Sequence, residues 1–184
     1  MADRFLIIGL GNPGKKYSKN RHNAGFLALD GVASALGAGS FTKDKKGEWA
    51  LAQGPEKSEI YFYKPLEFMN LSGGGVKDFT KKHPVETSRV VVLHDEIELP
   101  FGEVRWKVGG GHKGHKRLRD IIARCGSPDF HRVRLGVGRP DHDDVAEYVL
   151  SDFMPEEFKS FSLMTDRAKS LIEKWLVNPD KAPA

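Results

Sequence analysis

The stretch FLIIGLGNPG, residues 5–14, is an apolar run that ends in a glycine-rich turn. Such a run, closed by glycine, is typical of a strand buried on both faces of a sheet. The turn also contains the pattern G-x-G-x-x-G, which in dinucleotide-binding proteins leads directly into an apolar helix. Here KKYSKNRHN, residues 15–23, follows without apolar periodicity. Asp30, near the spacing of a ribose-binding acid, lies inside a helical pattern. The glycines therefore predict a tight turn that presents Asn12, and not a pyrophosphate site.

Outward from this strand, apolar runs alternate with helical patterns. Strands are predicted for RFLIIGL (4–10), EIYFYKP (59–65), RVVVLHDEI (89–97) and HRVRLGVG (131–138), and weaker ones for EWALAQ (48–53) and EVRWKV (103–108). Helices are predicted for AGFLALDGVASAL (24–36), NLSGGGVKDFTKKH (70–83), LRDIIARCG (118–126) and residues 155–176, which begin at Pro155. This alternation predicts one α/β domain over residues 1–184, with three layers and a twisted mixed, mostly parallel sheet flanked by helices. We expect EIELPFGEVRWKV (96–108) to add an antiparallel hairpin.

The composition is that of an ordinary soluble globular protein, with 184 residues, 39% of them apolar and 29% charged. No apolar run reaches the roughly 18 residues that a membrane-spanning helix needs. The N-terminal sequence also lacks the basic start of a signal peptide. The single cysteine, Cys125, excludes an internal disulfide and a paired-thiolate zinc site. We therefore expect a cytoplasmic protein that does not bind a membrane.

The net charge of +4 is unevenly distributed along the chain. Residues 105–139 contain ten Lys or Arg residues and two acids, whereas residues 140–184 contain five bases and ten acids. A concentrated basic segment favours a surface that binds a polyanion. Charge alone leaves open that these residues only form solvated helix and strand faces.

Several polar residues lie near the predicted strand ends, where α/β proteins usually form their sites: Asn12, His22, Asn23, Asn70 and Asp95. Each also has a structural explanation. Asn12 is a suitable turn residue, and Asn70 is a suitable helix N-cap. His22 fits a solvated loop, and Asp95 fits an acceptor for neighbouring backbone donors. Taken singly, these residues leave both interpretations open.

Taken together, the segments resemble the bacterial-type peptidyl-tRNA hydrolase family in order and spacing. The matching stretches are GLGNPGKKYSKNRHNAG (9–25), KPLEFMNLSG (64–73), VVVLHDEIELPFGEVRWKVGGGHKGH (90–115), LRDI (118–121) and FHRVRLGVGRP (130–140). The resemblance implies hydrolysis of the ester between a peptidyl group and the 3′ ribose of tRNA. It also implies a monomer that uses no metal and no organic cofactor.

The resemblance assigns roles to three of these polar residues. His22 would be the general base that activates water, Asp95 would orient its imidazole, and Asn12 would help to distinguish peptidyl from free aminoacyl ends. These roles suit the residue types. An imidazole has an ordinary pKa near about 6.5, so it is largely neutral at cytoplasmic pH and can accept a proton. A carboxylate on its other nitrogen fixes the tautomer, as in hydrolytic triads.

Further residues are assigned to tRNA binding by the same resemblance. Phe68 and Met69 would line the cleft, and Asn70 would position the end of the substrate. Tyr17 would contact the tRNA terminus. The family also binds the tRNA 5′ phosphate with basic residues, which match Lys107 and Arg134 in this chain.

The sequence departs from the family at His115-Lys116-Arg117, where the family usually has H-N-G. The missing asparagine normally helps to bind the tRNA 3′ end, and an ammonium group can donate hydrogen bonds but cannot accept them. Lys116 would either reach outward to bind phosphate or lie near His22 and lower the pKa of its imidazole. We expect activity to survive with altered tRNA affinity.

Two other functions compete with this hypothesis. A metal-dependent hydrolase could use His94, Asp95, His112 and His115, although no H-E-x-x-H pattern or cysteine pair accompanies them. The stronger alternative is an RNA-binding protein on the same fold that has lost catalysis, because a fold does not determine its function. Lys116 favours this alternative. The presence of Asn12, His22, Asn70 and Asp95, which match the family, opposes it.

Overall fold

The computed structural model describes residues 3–67, 72–112, 115–141 and 144–184. Within these ranges the chain forms seven strands, whose bounds are β1 Arg4–Gly9, β2 Thr42–Lys43, β3 Gly47–Gln53, β4 Glu59–Pro65, β5 Val90–Glu96, β6 Val104–Val108 and β7 His131–Gly136. The same ranges contain five α-helices, which are α1 Ala24–Ala35, α2 Ser72–Lys82, α3 Lys116–Cys125, α4 Val145–Val149 and α5 Pro155–Val177. None of the helices in this described part is long and apolar enough to span a bilayer.

The strands form one mixed sheet in the order β2-β3-β4-β1-β5-β7-β6. Its four central strands, β4, β1, β5 and β7, are parallel to their neighbours in that block. The strands beyond this block pair in antiparallel fashion, β3 and β2 at one edge and β6 at the other. The predicted mixed, mostly parallel α/β sheet is therefore confirmed. The strand Thr42–Lys43 and the short helix Val145–Val149 were not predicted.

The expected hairpin over residues 96–108 is wrong, because β7 lies between β5 and β6. β6 is antiparallel to β7, with Val104 opposite Leu135 and Val108 opposite His131. The burial of each strand explains this order. β7 is buried along nearly its whole length, which suits a strand with neighbours on both sides, whereas the side chains of β6 are half-buried or exposed, which suits an edge.

Two hydrophobic layers cover the sheet. On one face, Phe5 and Ile7 of β1 pack in the layer that includes residues of α1 and α5. On the other face, Leu6 and Ile8 pack with Phe79 of α2 and further residues of α3. Alternate residues of β1 thus enter opposite layers, as the period of two in a strand requires. A strand buried on both faces explains why the run FLII contains no polar residue.

The long helix α5 begins where the sequence predicted it. Pro155 occupies its first turn, and the Met154 backbone N–H donates to Glu157 Oε1 at 2.8 Å. Proline tolerates this position because the first N–H groups of a helix have no partner within it. Acids in the first turn also favour the helix dipole. This start places Glu157 beside the loop that carries the candidate site.

Candidate active site

The loop after β1 meets the C-terminal half of β5 at the carboxyl edge of the sheet. The Leu10 N–H donates to Leu93 O at 3.1 Å, and the Phe26 N–H donates to Leu10 O at 3.1 Å. Gly25 makes this close approach possible. A Cβ at Gly25 would lie 2.4 Å from Leu93 O and 2.6 Å from Leu10 N. The start of α1 therefore rests directly on the strand ends and carries the preceding turn, Arg21–Asn23, over the site.

Arg21 fixes this turn to the segment that leads into α5. Its guanidinium is buried and donates to Ser151 Oγ at 2.6 Å, Asp152 O at 2.7 Å and Glu157 Oε1 at 3.0 Å. It also lies 4.3 Å from the centre of the Tyr148 ring. A planar guanidinium with several donors suits such a crowded anchor better than an ammonium group does. These contacts hold the backbone before His22, and the bond from the Phe26 N–H to Leu10 O holds the backbone after it.

His22, Asp95 and His115 form a hydrogen-bonded cluster at this edge. His22 Nδ1 lies 2.9 Å from Asp95 Oδ2, and His115 Nε2 lies 2.9 Å from Asp95 Oδ1. The Asp95 carboxylate is buried, and the His22 side chain is 17% exposed. Because the carboxylate accepts from His22 Nδ1–H, the Nε2 atom of His22 carries the lone pair. The arrangement can therefore take a proton from a molecule at His22 Nε2.

The second imidazole, His115, has a different role because both of its nitrogens are engaged. His115 is the N-cap of α3, and its Nδ1 accepts the Leu118 N–H at 3.3 Å. An Nδ1 that accepts must be unprotonated, so the ring proton lies on Nε2, where it is donated to Asp95. This bonding keeps His115 in one neutral tautomer. Of the two rings on Asp95, only His22 has a nitrogen available for proton transfer.

The electrostatics of the cluster favour an ionised Asp95. Burial alone would raise the pKa of Asp95, but interactions with His22 and His115 hold it well below its usual value. The neighbouring His94 is instead held in its uncharged form. Its Nδ1 lies 2.8 Å from Asp95 O, and burial lowers the pKa of His94 to about 4, with the nearby His115 imidazole acting in the same direction. His94 is therefore neutral at pH 7 and contributes no charge to the site.

Asn12 is fixed next to this cluster by Asn23. The Asn12 N–H donates to Asn23 Oδ1 at 2.7 Å, and Asn23 Nδ2 donates to Asn12 O at 3.0 Å. The Asn23 amide thus uses both its donor and its acceptor to hold the glycine turn. Asn12 also lines a cleft of about 340 Å³, together with Phe26, Lys64 and Leu66. This is the turn that the sequence predicted to present Asn12.

Arg117 enters the site, although the sequence analysis did not single it out. Its guanidinium is buried and donates from Nη2 to Asn12 Oδ1. Burial lowers the pKa of Arg117 to about 10, and the charge of Asp95 acts in the opposite direction. The group therefore stays cationic at neutral pH. The signal that could have found it is its place in the departure from H-N-G, one residue beyond Lys116.

Lys116 itself is exposed at the start of α3. Of the two positions expected for this side chain, the structure has the outward one. Tyr17 lies half-buried on the turn Lys15–Tyr17, between the Asn12 loop and the His22 turn, with Lys16 Nζ 5.4 Å from its ring centre. The remaining predicted substrate residues, Phe68, Met69 and Asn70, lie outside the described residues.

The basic segment forms a ladder on strands β6 and β7. Arg105 is opposite Arg134, and Lys107 is opposite Arg132, so the four side chains share one face. Arg134 Nε donates to Glu96 Oε1 at 2.9 Å. Burial would raise the pKa of Glu96, but this hydrogen bond lowers it. A phosphate that binds Arg134 therefore competes with a carboxylate for the guanidinium.

Arg132, which is buried in this ladder, holds the glycine-rich loop before α3 by hydrogen bonds. Its guanidinium donates to Gly111 O and Gly110 O, each at 2.5 Å, and to Pro128 O at 3.2 Å. Backbone carbonyls satisfy most of its donors, so Arg132 ties the loop to β7. This is a second residue that the sequence analysis did not identify. It supports the segment that leads to His115.

The cluster also has the atoms of a possible metal site. Within the described ranges, one ligand atom each from His22, Asp95 and His115 lies within 4.8 Å of the others. The proposed metal set His94, Asp95, His112 and His115 is not this group. The hydrogen bonds above assign both oxygens of Asp95 to imidazole donors, which accounts for the cluster by proton chemistry. The expectation of no metal stays a prediction.

Comparison with known proteins gives one consistent result. A family model described as peptidyl-tRNA hydrolase matches residues 6–183. The peptidyl-tRNA hydrolase of Geotalea daltonii is 43% identical over 169 residues, which cover 91% of this chain and 87% of that protein. The relative from Sorangium cellulosum is 48% identical over 152 residues, 81% and 68% of the two chains. The crystal structure of peptidyl-tRNA hydrolase from Acinetobacter baumannii has a TM-score of 0.87 and 34% identity, and covers 98% of this chain and 91% of that one.

Proposed function

Because this chain belongs to the peptidyl-tRNA hydrolase family, we propose that it hydrolyses the ester between a peptidyl group and the 3′ ribose of tRNA. The reaction releases tRNA from prematurely dissociated peptidyl-tRNA. The observation that carries the proposal is the hydrogen bond of 2.9 Å between His22 Nδ1 and Asp95 Oδ2. It leaves the lone pair of His22 Nε2 free of the carboxylate. We expect a monomer that acts in the cytoplasm.

The proposed reaction begins with a water molecule at His22 Nε2. The imidazole takes one proton from water as the oxygen attacks the ester carbonyl carbon. Asp95 stabilises the imidazolium that forms, as a buried carboxylate does in hydrolytic triads. When the tetrahedral intermediate collapses, the bond from the carbonyl carbon to O3′ breaks, and the imidazolium returns the proton to O3′. The products are a peptide with a free carboxyl group and tRNA with a free 3′ hydroxyl.

Asn12 is the proposed contact for the peptidyl group. Its position in the cleft and its fixed backbone support this role. A carboxamide can donate to a peptide carbonyl, which an N-blocked substrate has and a free aminoacyl end lacks next to its α-nitrogen. Tyr17, Phe68, Met69 and Asn70 are proposed to bind the rest of the substrate end, as the family resemblance implies.

Lys107 and Arg134 are proposed to bind the 5′ phosphate. Phosphate contacts position a nucleic acid without reading its sequence, which suits an enzyme that acts on many tRNAs. Neutralising both residues should therefore raise KM far more than it lowers kcat. An unchanged KM of this double variant at physiological salt would contradict the proposal that the two residues bind the 5′ phosphate.

The test of the function uses two substrates and one variant. The purified protein is incubated with N-acetylaminoacyl-tRNA and with unblocked aminoacyl-tRNA, and ester cleavage is measured as the labelled acyl group that stays in solution when acid precipitates the tRNA. We expect rapid cleavage of the blocked substrate alone, and its loss in His22→Ala. Half-exposed Lys169, which pairs with Glu173 on α5, gives the control Lys169→Ala.

The alternative of an RNA-binding protein without catalysis predicts a different pattern. It expects tRNA binding by wild type and His22→Ala alike, and no cleavage of either substrate. Lys116, at the position of the usual family asparagine, is the feature that favours this alternative. The hydrogen bonds that join His22 and His115 to Asp95 support the enzyme.

A further inference from the structure

Arg117, the buried cation next to Asn12, takes no part in the proposed reaction steps. Arg117 follows the N-cap His115 by two residues, so the start of α3 fixes its position. Its side chain is almost completely buried, with 2% exposure for the residue. Arginine is rarely buried without a specific partner, because desolvating its charge is costly. Here one of its partners is Asn12 Oδ1, at the wall of the cleft.

The contact determines which way the Asn12 carboxamide points. A guanidinium only donates hydrogen bonds, so the Asn12 atom next to it must be the oxygen. The Nδ2 amino group, at the other corner of the same planar amide, is then the corner available to a ligand in the cleft. Without Arg117 the amide could turn over and offer its oxygen instead. The Asn23 bonds hold the Asn12 backbone and leave this side-chain choice open.

The charge of Arg117 acts in the same direction as its hydrogen bond. A free aminoacyl end carries an α-ammonium group when it is protonated, and this group is both cationic and donor-only. It would meet an amide donor and, behind it, a poorly solvated cation. A peptidyl end has instead a neutral amide whose carbonyl accepts a hydrogen bond. Like charges in a poorly solvated site repel more strongly than they do in water.

We propose that Arg117 is a positioning residue that fixes the Asn12 amide as a donor and so strengthens the selection of peptidyl over free aminoacyl ends. This inference rests on the proposed function and concerns the specificity of the same site. Arg117 acts through Asn12 and is not proposed to touch the reacting atoms. The effect is particular to a chain with arginine at this position.

The experiment measures selectivity, defined as the ratio of kcat/KM for N-acetylaminoacyl-tRNA to kcat/KM for unblocked aminoacyl-tRNA. The variants are Arg117→Met, which removes charge and donors at similar length, Arg117→Gly, which has the usual family residue, and Arg117→Lys. The control is Arg119→Met, on the exposed side of the same helix. We expect selectivity to fall about tenfold in the first two variants, which corresponds to about 1.4 kcal/mol. Arg117→Lys should retain more of the selectivity because it keeps the charge and donates.

A purely structural role gives a different result. Loosening of α3 would lower kcat for both substrates together and leave their ratio unchanged, and that outcome overturns the proposal. A fall in selectivity equal to that of Arg119→Met overturns it too. If the wild type cleaves neither substrate, the proposed function fails first. If it cleaves the blocked substrate and the ratio does not depend on Arg117, only this inference fails.

A measurement on the unchanged protein covers the case in which a variant does not fold. The probe is 3′-(N-acetylaminoacyl)amino-3′-deoxyadenosine, a hydrolysis-resistant amide analogue of the substrate end. We expect it to shift the side-chain Nδ2 proton resonances of Asn12 in an NMR titration, and the unblocked amine analogue to leave them in place. Equal shifts with both analogues, or none with either, would contradict the proposed donor orientation.

Discussion

Replacing Asp95 by asparagine should reverse the tautomer of His22. The wild-type carboxylate accepts from two imidazoles, at 2.9 Å each. An amide has one acceptor corner and one donor corner, so it can accept from only one of the rings. His115 cannot change its tautomer easily, because its Nδ1 accepts the Leu118 N–H that it caps. The new amide oxygen must therefore face His115, and the amino group faces His22 Nδ1.

This orientation moves the His22 proton to the wrong nitrogen. Nδ1 must accept from the amide, so the ring proton lies on Nε2, where the water should be deprotonated. In hydrolytic triads the same exchange lowers kcat about 10⁴-fold. We expect a fall of about 10³- to 10⁴-fold for Asp95→Asn, which corresponds to about 4–5.5 kcal/mol in the activation free energy. KM should change less than about threefold, because Asp95 is buried and both of its oxygens already accept hydrogen bonds from imidazoles.

The assay is steady-state cleavage of N-acetylaminoacyl-tRNA, with thermal unfolding as the check on folding. Glu98→Gln is the matched control, since it makes the same chemical change in a half-exposed acid that pairs with Arg139. The double variant Asp95→Asn with His115→Gln tests the reasoning further. A Gln side chain at position 115 can present either its oxygen or its amino group to residue 95, whereas His115 presents only an N–H. The new amide at position 95 can then turn its oxygen towards His22 Nδ1, and activity should recover at least about tenfold. A kcat for Asp95→Asn within tenfold of wild type would refute the tautomer argument.

Four further predictions concern stability and metal dependence. The pKa of His94 is about 6.5 in the unfolded chain and about 4 in the folded one, so the unfolded state binds more protons between these pH values. As pH falls from 7 to 4, the free energy of unfolding measured with urea should therefore lose about 3 kcal/mol through His94, and this loss should be absent in His94→Gln. Arg21→Met should lower the unfolding free energy by about 3 kcal/mol because it leaves buried partners unpaired, whereas exposed Arg139→Met should change it by less than about 0.5 kcal/mol. Gly25→Ala should lower the unfolding free energy by about 1–3 kcal/mol and displace the turn Arg21–Asn23, whereas Gly39→Ala, which has nothing within 4 Å of the added Cβ, should leave it unchanged; equal melting temperatures would contradict the packing argument. Exhaustive chelation should leave the rate of ester cleavage unchanged, and recovery of a lost rate by added Zn²⁺ would indicate a metal enzyme.

Much of the architecture could be predicted because its signals are local. The apolar run of β1, the alternation of strands and helices, and the start of α5 at Pro155 each depend on a few neighbouring residues. The neighbour order of the strands did not follow from such signals. β6 and β7 both have strand sequences, and only the burial of their faces against the helices decides that β7 is central and β6 is at the edge.

The candidate site divides in the same way. The sequence by itself determined the chemistry available, namely the imidazole of His22, the carboxylate of Asp95 and the amide of Asn12. Their meeting depends on contacts across 73 residues of chain, made possible by the bare Cα of Gly25 at the strand ends. Tertiary structure alone decided that Arg117 and not Lys116 enters the site. Successive helix residues point about 100° apart, so the docking of α3 selects which of two adjacent cations is buried and which stays in water.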